Sequence, residues 1–156
     1  MSDIRLMLDD IRSAHNAGSI FRTAETLGIS MIYCAGTTPA PLDRFGRPRR
    51  DFAKVSLGAE NSVPWEHVAN ATAHIKRLKK EGFKVIALEQ APDSVDYKKV
   101  KLPSKALIVL GNEVNGISPS ALKLADVIAE IPMKGKKESL NVSVAAGVFL
   151  YRLIDR

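Results

Sequence analysis

The sequence predicts an α/β domain: a mostly parallel sheet with helices on both faces, spanning residues 1–156 as one unit. Three observations carry that prediction. Short apolar runs alternate along the chain with segments of helical spacing. The runs are apolar nearly throughout, as expected of strands buried on both faces. No repeat, low-complexity tract or linker divides the 156 residues, a length that suits one domain with a real core.

Ile4–Leu8 is apolar apart from Arg5 and reads as the first strand. Ile20, Phe21, Ala24 and Leu27 keep helical spacing, so a helix is expected from Ala17 to Leu27 with a stop at Gly28. Met31–Ala35 is the second strand. Gly36–Asp51 reads as loop, punctuated by Pro39, Pro41, Gly46 and Pro48. Pro64-Trp65 is expected to open a helix that runs to Lys80, with Trp65, Val68, Ala69, Ile75 and Leu78 on its apolar face. Lys84–Leu88 and Ala106–Leu110 are the third and fourth strands, joined by a connector over 90–104. A helix over Pro119–Ala125 and a fifth strand over Val127–Ile131 follow. The last helix, Val142–Ile154, is almost wholly apolar as far as Leu150, so it packs on the sheet or on a second subunit.

Bulk composition sets limits on function. A hydrophobic fraction of 46% and a mean hydropathy of −0.04 are ordinary for a soluble protein. No apolar run approaches the roughly 20 residues that span a bilayer. The N-terminal residues lack the regions of a signal peptide, and Cys34, the single cysteine, has no partner for an internal disulfide. A cytoplasmic location is expected. Cys34 itself reads as a small buried hydrophobe in an apolar run. A net charge of +6 and a pI near 9.5 suggest a polyanionic partner. Arg44, Arg47, Arg49, Arg50 and Lys54 cluster around Phe45, Gly46 and Pro48. Such a mobile basic loop with an aromatic suits phosphate contacts and base stacking.

Three loops are chemically unusual, and each follows an expected strand, where open parallel sheets bind ligands. The first holds Asn16, Gly18 and Arg22; Gly18 permits close backbone approach, while Asn16 is also a reasonable helix cap. The second, Leu110–Ser118, is a glycine-bearing turn after an apolar strand. Ile117 stands where a phosphate loop requires Lys, and no Gly-x-Gly-x-x-Gly occurs, so neither nucleotide fingerprint is present. The third, Ile131–Val144, stops a strand at Pro132, runs through a basic loop, and starts a helix at Ser139-Leu140-Asn141. Two polar residues astride a buried-looking Leu exceed what a cap needs. No metal is expected. His15, His67 and His74 are scattered, with His67 and His74 two turns apart on the expected helix, and they read as surface or interface residues.

Together the three loops resemble the motifs of the SpoU/TrmH family of RNA 2′-O-ribose methyltransferases, in the SPOUT class. Asn16-x-Gly18-x-x-x-Arg22-Thr23-Ala24 is similar to the first motif. Leu110-Gly111-Asn112-Glu113-x-x-Gly116-Ile117-Ser118 is similar to the second. Ile131-Pro132-Met133 with Ser139-Leu140-Asn141-Val142-Ser143-Val144-Ala145 is similar to the third. The resemblance covers nearly the whole chain and implies a minimal, single-domain member. It also implies a C-terminal deep trefoil knot, which no pattern argument would select. An S-adenosyl-L-methionine cofactor, a homodimer and a tRNA or rRNA substrate are implied as well, with no membrane and no metal.

The residue roles come from the same resemblance. Arg22 would orient the ribose or its phosphate and stabilise developing oxyanion charge. Acting as a neutral base would require strong perturbation of a group that is otherwise always protonated. Asn16 and Glu113 would fix Arg22 and the substrate, and Ser139 and Asn141 would order the catalytic loop. The cofactor would lie against Leu88, Glu89, Leu110, Gly111, Asn112, Gly116, Ile131, Met133, Ser139, Leu140, Val142 and Ala145. Arg22, Arg44, Arg47, Arg49, Arg50 and Lys54 would hold RNA. The alternatives are an RNA-binding module that kept the fold without catalysis, a phosphate-loop kinase, which the missing Lys disfavours, and a SPOUT base methylase.

Overall fold

In the computed structural model, which describes residues 1–155, seven parallel strands form one sheet in the order β3-β2-β1-β6-β4-β7-β5. The strands are β1 (Asp3–Asp9), β2 (Met31–Ala35), β3 (Trp65–Val68), β4 (Lys84–Leu88), β5 (Val95–Asp96), β6 (Lys105–Gly111) and β7 (Val127–Glu130). The helices are α1 (Ala14–Thr26), α2 (Arg50–Ser56), α3 (Ala71–Lys80), α4 (Pro119–Leu122) and α5 (Val142–Ile154). The mostly parallel sheet read from the sequence is therefore present, and every strand pairing in it is parallel.

Side-chain alternation divides the core in two. Leu6, Leu8, Ile32, Ile108 and Leu110 face α1, α2 and α5, with Ile20, Phe21, Phe52, Phe149 and Leu150 packed on them. Met7, Tyr33, Val85, Leu107 and Val109 face the other way, against Ile75 and Leu78 of α3 and Ala121 of α4. Central strands that are apolar at every position are thus explained by burial on both faces. Cys34 is fully buried in the first cluster, and desolvation pushes its thiol pKa up to about 12. It behaves as the small hydrophobe the sequence predicts.

Three expectations are corrected. Trp65–Val68 is an edge strand paired with Ile32–Ala35, and not the start of a helix. Pro64 precedes it, where a residue without an N–H loses nothing, and its carbonyl accepts from Ile32 N at 2.9 Å. The helix begins only at Ala71, because the Asn70 side chain caps it by accepting from Ala73 N at 3.0 Å. His67 and His74 consequently do not share a helix. His67 bonds the Gly36 carbonyl oxygen at 2.9 Å, while His74 is buried beside the Tyr33 ring at 4.3 Å. Desolvation holds the His74 pKa below the usual histidine value, so the expectation of a surface or interface histidine fails there. The connector over 90–104 contains the short strand β5 and a 3₁₀ turn, Tyr97–Lys99.

The basic segment is also more ordered than a mobile loop. Leu42 and Pro48 form an antiparallel bridge, and the Asp43 carboxylate accepts from Phe45 N, Arg47 N and Arg47 Nε. Arg50 and Lys54 lie on α2, which docks on α1 through an edge-to-face contact of Phe21 and Phe52 at 4.9 Å. Gly18 serves that contact. A Cβ there would sit 2.5 Å from Val55 Cγ2 and 2.9 Å from the Phe52 carbonyl oxygen. What approaches Gly18 closely is therefore α2, and not a ligand. Replacing Gly18 with Val should destabilise the protein by about 1–3 kcal/mol through overpacking. Chemical denaturation measures this, and an unchanged midpoint would contradict the packing role.

Candidate active site

The carboxyl ends of β1, β6, β4 and β7 carry the three loops singled out in the sequence. The first loop turns from β1 into α1. Ser13, rather than Asn16, caps that helix, with its hydroxyl accepting from Asn16 N at 3.1 Å. The Asn16 side chain is thereby free for other bonds, although the residue is buried.

The second loop is a tight hairpin closed by backbone bonds between Asn112 and Gly116 at 2.9 and 3.0 Å. Asn112 Oδ1 accepts from Val114 N and Asn115 N, while its Nδ2 donates to the Asp10 carbonyl at 2.7 Å. Gly111 and Gly116 are required by space. A Cβ on Gly111 would meet Ile117 N at 2.3 Å, and one on Gly116, at φ +69°, would strike the Glu89 carboxylate. Glu89 pins the hairpin from β4, accepting from Ile117 N at 2.8 Å.

Glu113 stands on this hairpin and reaches the first loop. Its carboxylate accepts from Arg12 N at 2.9 Å, Ser13 N at 3.0 Å and Asn16 Nδ2 at 2.9 Å. Partial burial raises its pKa, but these N–H donors outweigh that and hold the carboxyl below its usual range. Asn16 passes the connection on, because its Oδ1 accepts from Asn141 Nδ2 at 3.1 Å. Asn141 in turn caps α5, accepting from Ser143 N at 2.9 Å and Ser143 Oγ at 2.6 Å. The chain Glu113–Asn16–Asn141 links all three loops side chain to side chain.

A cavity of about 450 Å³ opens beside this chain. Leu88 and Glu89 enter it from β4, and Leu110, Gly111, Asn112 and Gly116 from β6 and its hairpin. Ile131, Met133, Ser139 and Leu140 come from the third loop, and Val142 and Ala145 from the first turn of α5. All the residues that the resemblance gives to the cofactor therefore border one space, together with Glu113 and Asn141. Leu140 is 39% exposed, so it is not buried as its sequence context suggests. Ser139 lines the cavity and its hydroxyl has no partner among the described residues, so of Ser139 and Asn141 only Asn141 orders this loop by side-chain hydrogen bonding.

Arg22 is not gathered in. It is exposed on α1, outside the cavity lining, and makes no hydrogen bond or ion pair among the described residues. Asn16 and Glu113 hold each other rather than Arg22. Arg22 lies six positions after Asn16, a rise of about 9 Å along the helix. The basic hairpin lies elsewhere, with the Arg44 and Arg47 guanidiniums 4.8 and 5.0 Å from the Phe45 ring centre and Arg49 paired with Asp51 at 3.3 Å. Gln90, Glu130 and Glu138 also line the cavity, and the sequence reading missed them. Gln90 Nε2 donates to the Glu138 carbonyl at 2.8 Å and fastens the third loop to the end of β4. Its place directly after Leu88 and Glu89 was the only available signal.

A sequence profile of the SpoU rRNA Methylase family matches residues 3–151. The chain belongs to this family. It is 30% identical over 149 residues to the tRNA (guanosine(18)-2′-O)-methyltransferase of Aquifex aeolicus, covering 96% of this chain and 67% of the relative. It is 34% identical over 145 residues to a 23S rRNA (guanosine-2′-O-)-methyltransferase of Neisseria meningitidis, covering 93% of this chain and 55% of the relative. The crystal structure of an AdoMet-bound rRNA methyltransferase from Sinorhizobium meliloti superposes with a TM-score of 0.85 at 29% identity, covering 96% of this chain and 55% of that one. This SpoU-family chain thus spans between about half and two thirds of the length of these proteins.

The lowered Glu113 pKa gives a signed prediction. A depressed carboxylate adds stability that is present above its unfolded value of about 4.3 and is lost as pH falls through the folded value. The stability advantage of the wild type over Glu113→Gln should therefore shrink on acidification from neutral pH to below that value. Urea denaturation across that range measures it, and a constant difference would contradict the assigned bonds.

Proposed function

We propose that this chain is an RNA 2′-O-ribose methyltransferase that uses S-adenosyl-L-methionine and acts on tRNA or rRNA. The observation that carries the reading is the cavity tied together by Glu113, Asn16 and Asn141 at the carboxyl ends of the strands. The relatives named above, two of them 2′-O-methyltransferases and one AdoMet-bound, support it.

The residues present fit the cofactor. Leu88, Leu110, Ile131, Met133, Leu140, Val142 and Ala145 offer apolar wall for an adenine. Glu89, Glu113, Glu130 and Glu138 border the same space and suit a ligand carrying a sulfonium and an ammonium. The cofactor supplies an already activated methyl group. What remains for this chain is to align the ribose 2′-oxygen, accept loss of its proton and balance the developing charge. Asn16, Glu113 and Asn141 hold the loops that do the aligning, and Ser139, with its free hydroxyl, is available to the bound ligands. Arg22 supplies positive charge to ribose and phosphate. Arg44, Arg47, Arg49, Arg50 and Lys54 form the outer RNA contacts.

Because Arg22 does not border its own cavity, we infer that it acts across a homodimer. Val144, Val148 and Tyr151 leave an exposed apolar stripe along α5, with Leu140 just before it. The Tyr151 hydroxyl lies 2.9 Å from the hydroxyl of Thr26, one helical turn beyond Arg22 on α1. Pairing two copies through this stripe places Arg22 near the interface. We also read the C-terminal segment as a deep trefoil knot. That reading is supported by the path of the chain, since β7 lies beyond β4 while α5 returns to pack on α1 and β6. Residues 1–156 then act as one methyltransferase domain. A cytoplasmic setting suits both an RNA substrate and a buried, unpaired Cys34.

Arg22→Ala should lower methyl transfer to RNA at least a hundredfold while leaving S-adenosylmethionine affinity within about threefold, given the size of transition-state charge effects. Isothermal titration and labelled-methyl incorporation test the two separately; near-normal turnover would remove Arg22 from the reaction. Sedimentation at micromolar concentration should give a dimer for the wild type and a monomer for Val148→Glu. A monomeric wild type would overturn the interface.

A further inference from the structure

The roles assigned above use the cations of the basic hairpin and leave its aromatic residue unexplained. Phe45 is 67% exposed, more than any other aromatic side chain among the described residues. A ring left in water forgoes the stabilisation that burial gives. The chain nevertheless fixes it there. The Asp43 carboxylate accepts from Phe45 N at 2.9 Å and from Arg47 N and Nε, each at 3.0 Å. Asp43 N donates to the Arg47 carbonyl at 2.8 Å, and Gly46 N, in a residue at φ +77°, donates to the Asp43 carbonyl at 2.9 Å. A tip ordered in advance loses less freedom when it binds a partner.

The stems of this hairpin are tied to the segment that carries Asn16 and Arg22. On the incoming side, buried Thr38 accepts from Ile11 N at 3.0 Å and donates to the Leu8 carbonyl at 2.9 Å through its hydroxyl. On the outgoing side, the chain enters α2, which packs on α1. Residues 42–48 border neither the first cavity nor a second, of about 570 Å³, that shares Asn112 and Gly116 with it. Phe45 is thus a surface feature held in fixed relation to the candidate active site and outside it.

The surroundings of the ring define its partner. The Arg44 and Arg47 guanidiniums, 4.8 and 5.0 Å from the ring centre, leave most of Phe45 open. Between residues 42 and 54 five cations stand beside two carboxylates, and both carboxylates already engage arginines, Asp43 with Arg47 and Asp51 with Arg49. An apolar protein surface laid on Phe45 would desolvate guanidiniums without pairing them. A single strand of RNA supplies both parts at once, a base face for the ring and phosphates for the cations. A base stacked within a duplex has no free face to offer.

We propose that Phe45 is a stacking site for one unpaired base of the RNA, at a nucleotide outside the cofactor cavity, with Arg44 and Arg47 on the neighbouring phosphates. The proposal rests on the reading of the chain as an RNA methyltransferase and adds to it a base contact that the assigned cations do not supply.

The test uses the full chain and a single-stranded RNA of about 12 nucleotides carrying 2-aminopurine, alone and annealed to its complement. Phe45→Leu should weaken binding of the single strand at least fivefold and leave binding of the duplex unchanged. The dependence of affinity on salt should keep its slope in this variant, because no phosphate contact is lost. Arg44→Gln should instead lower that slope by about 0.7. Phe45→Trp should bind within twofold of the wild type, and its added indole fluorescence should be quenched by the single strand. Equal binding of the single strand by wild type and Phe45→Leu, an equal loss on the duplex, or an unquenched Trp in Phe45→Trp would each overturn the proposal. Labelled-methyl incorporation into RNA by the wild type is read separately. Incorporation together with normal binding by Phe45→Leu would remove the stacking site and leave the methyltransferase reading standing. The predicted binding pattern without incorporation would support the stacking site and remove that reading.

Discussion

The hydrogen bonds that run from Glu113 through Asn16 to Asn141 are the constraint on which the site depends. They join loops separated by about a hundred residues of chain. The two end members also satisfy backbone groups at a helix start: Glu113 accepts two N–H groups leading into α1, and Asn141 accepts those of Ser143 and Val144 in α5. The starts of α1 and α5 and the β6 hairpin are therefore positioned by one polar network. Such a network is strong only if every part is satisfied, because a half-satisfied member in a partly buried setting is destabilising. Asn16 meets that condition by using both ends of its amide, as donor to Glu113 and acceptor from Asn141.

The sheet makes this network possible. Parallel strands bring all their carboxyl ends to one rim, so loops after β1, β6 and β7 meet although they are distant in sequence. The glycines act at this rim and not as generic flexibility. Gly111 and Gly116 leave room for the hairpin to fold onto itself and onto Glu89, and the folded hairpin then forms a wall shared by two cavities. One helix, α5, serves three surfaces: Val142 and Ala145 border the first cavity, Phe149 and Leu150 lie in the core, and Val144 and Val148 form the exposed apolar stripe.

Much of this was legible in the sequence. The strand runs were apolar enough to declare a doubly covered sheet, and the residues that the family resemblance gives to the cofactor border a single cavity. What escaped were features that depend on contacts across the chain. Trp65–Val68 reads as helix because Pro64 suits a helix start equally well, and only pairing with β2 decides the matter. Asn16 looks like a cap until Ser13 is seen to take that role. The position of Arg22 outside its own cavity could not be read from a motif, because spacing along α1 gives a helix face but not what that face meets. Asp9 and Ser118 lie 109 residues apart, and nothing local announces their bond.

The most direct test of the account is a double-mutant cycle on S-adenosylmethionine affinity with Glu113→Ala and Asn141→Ala. These two residues communicate through Asn16, so their effects should be non-additive by about 0.5–3 kcal/mol, as for members of one network. The coupling should vanish when the cycle is repeated in an Asn16→Ala background. Additivity within about 0.5 kcal/mol in the wild-type background, or a coupling that survives the loss of Asn16, would contradict the claim that this chain of bonds holds the site together.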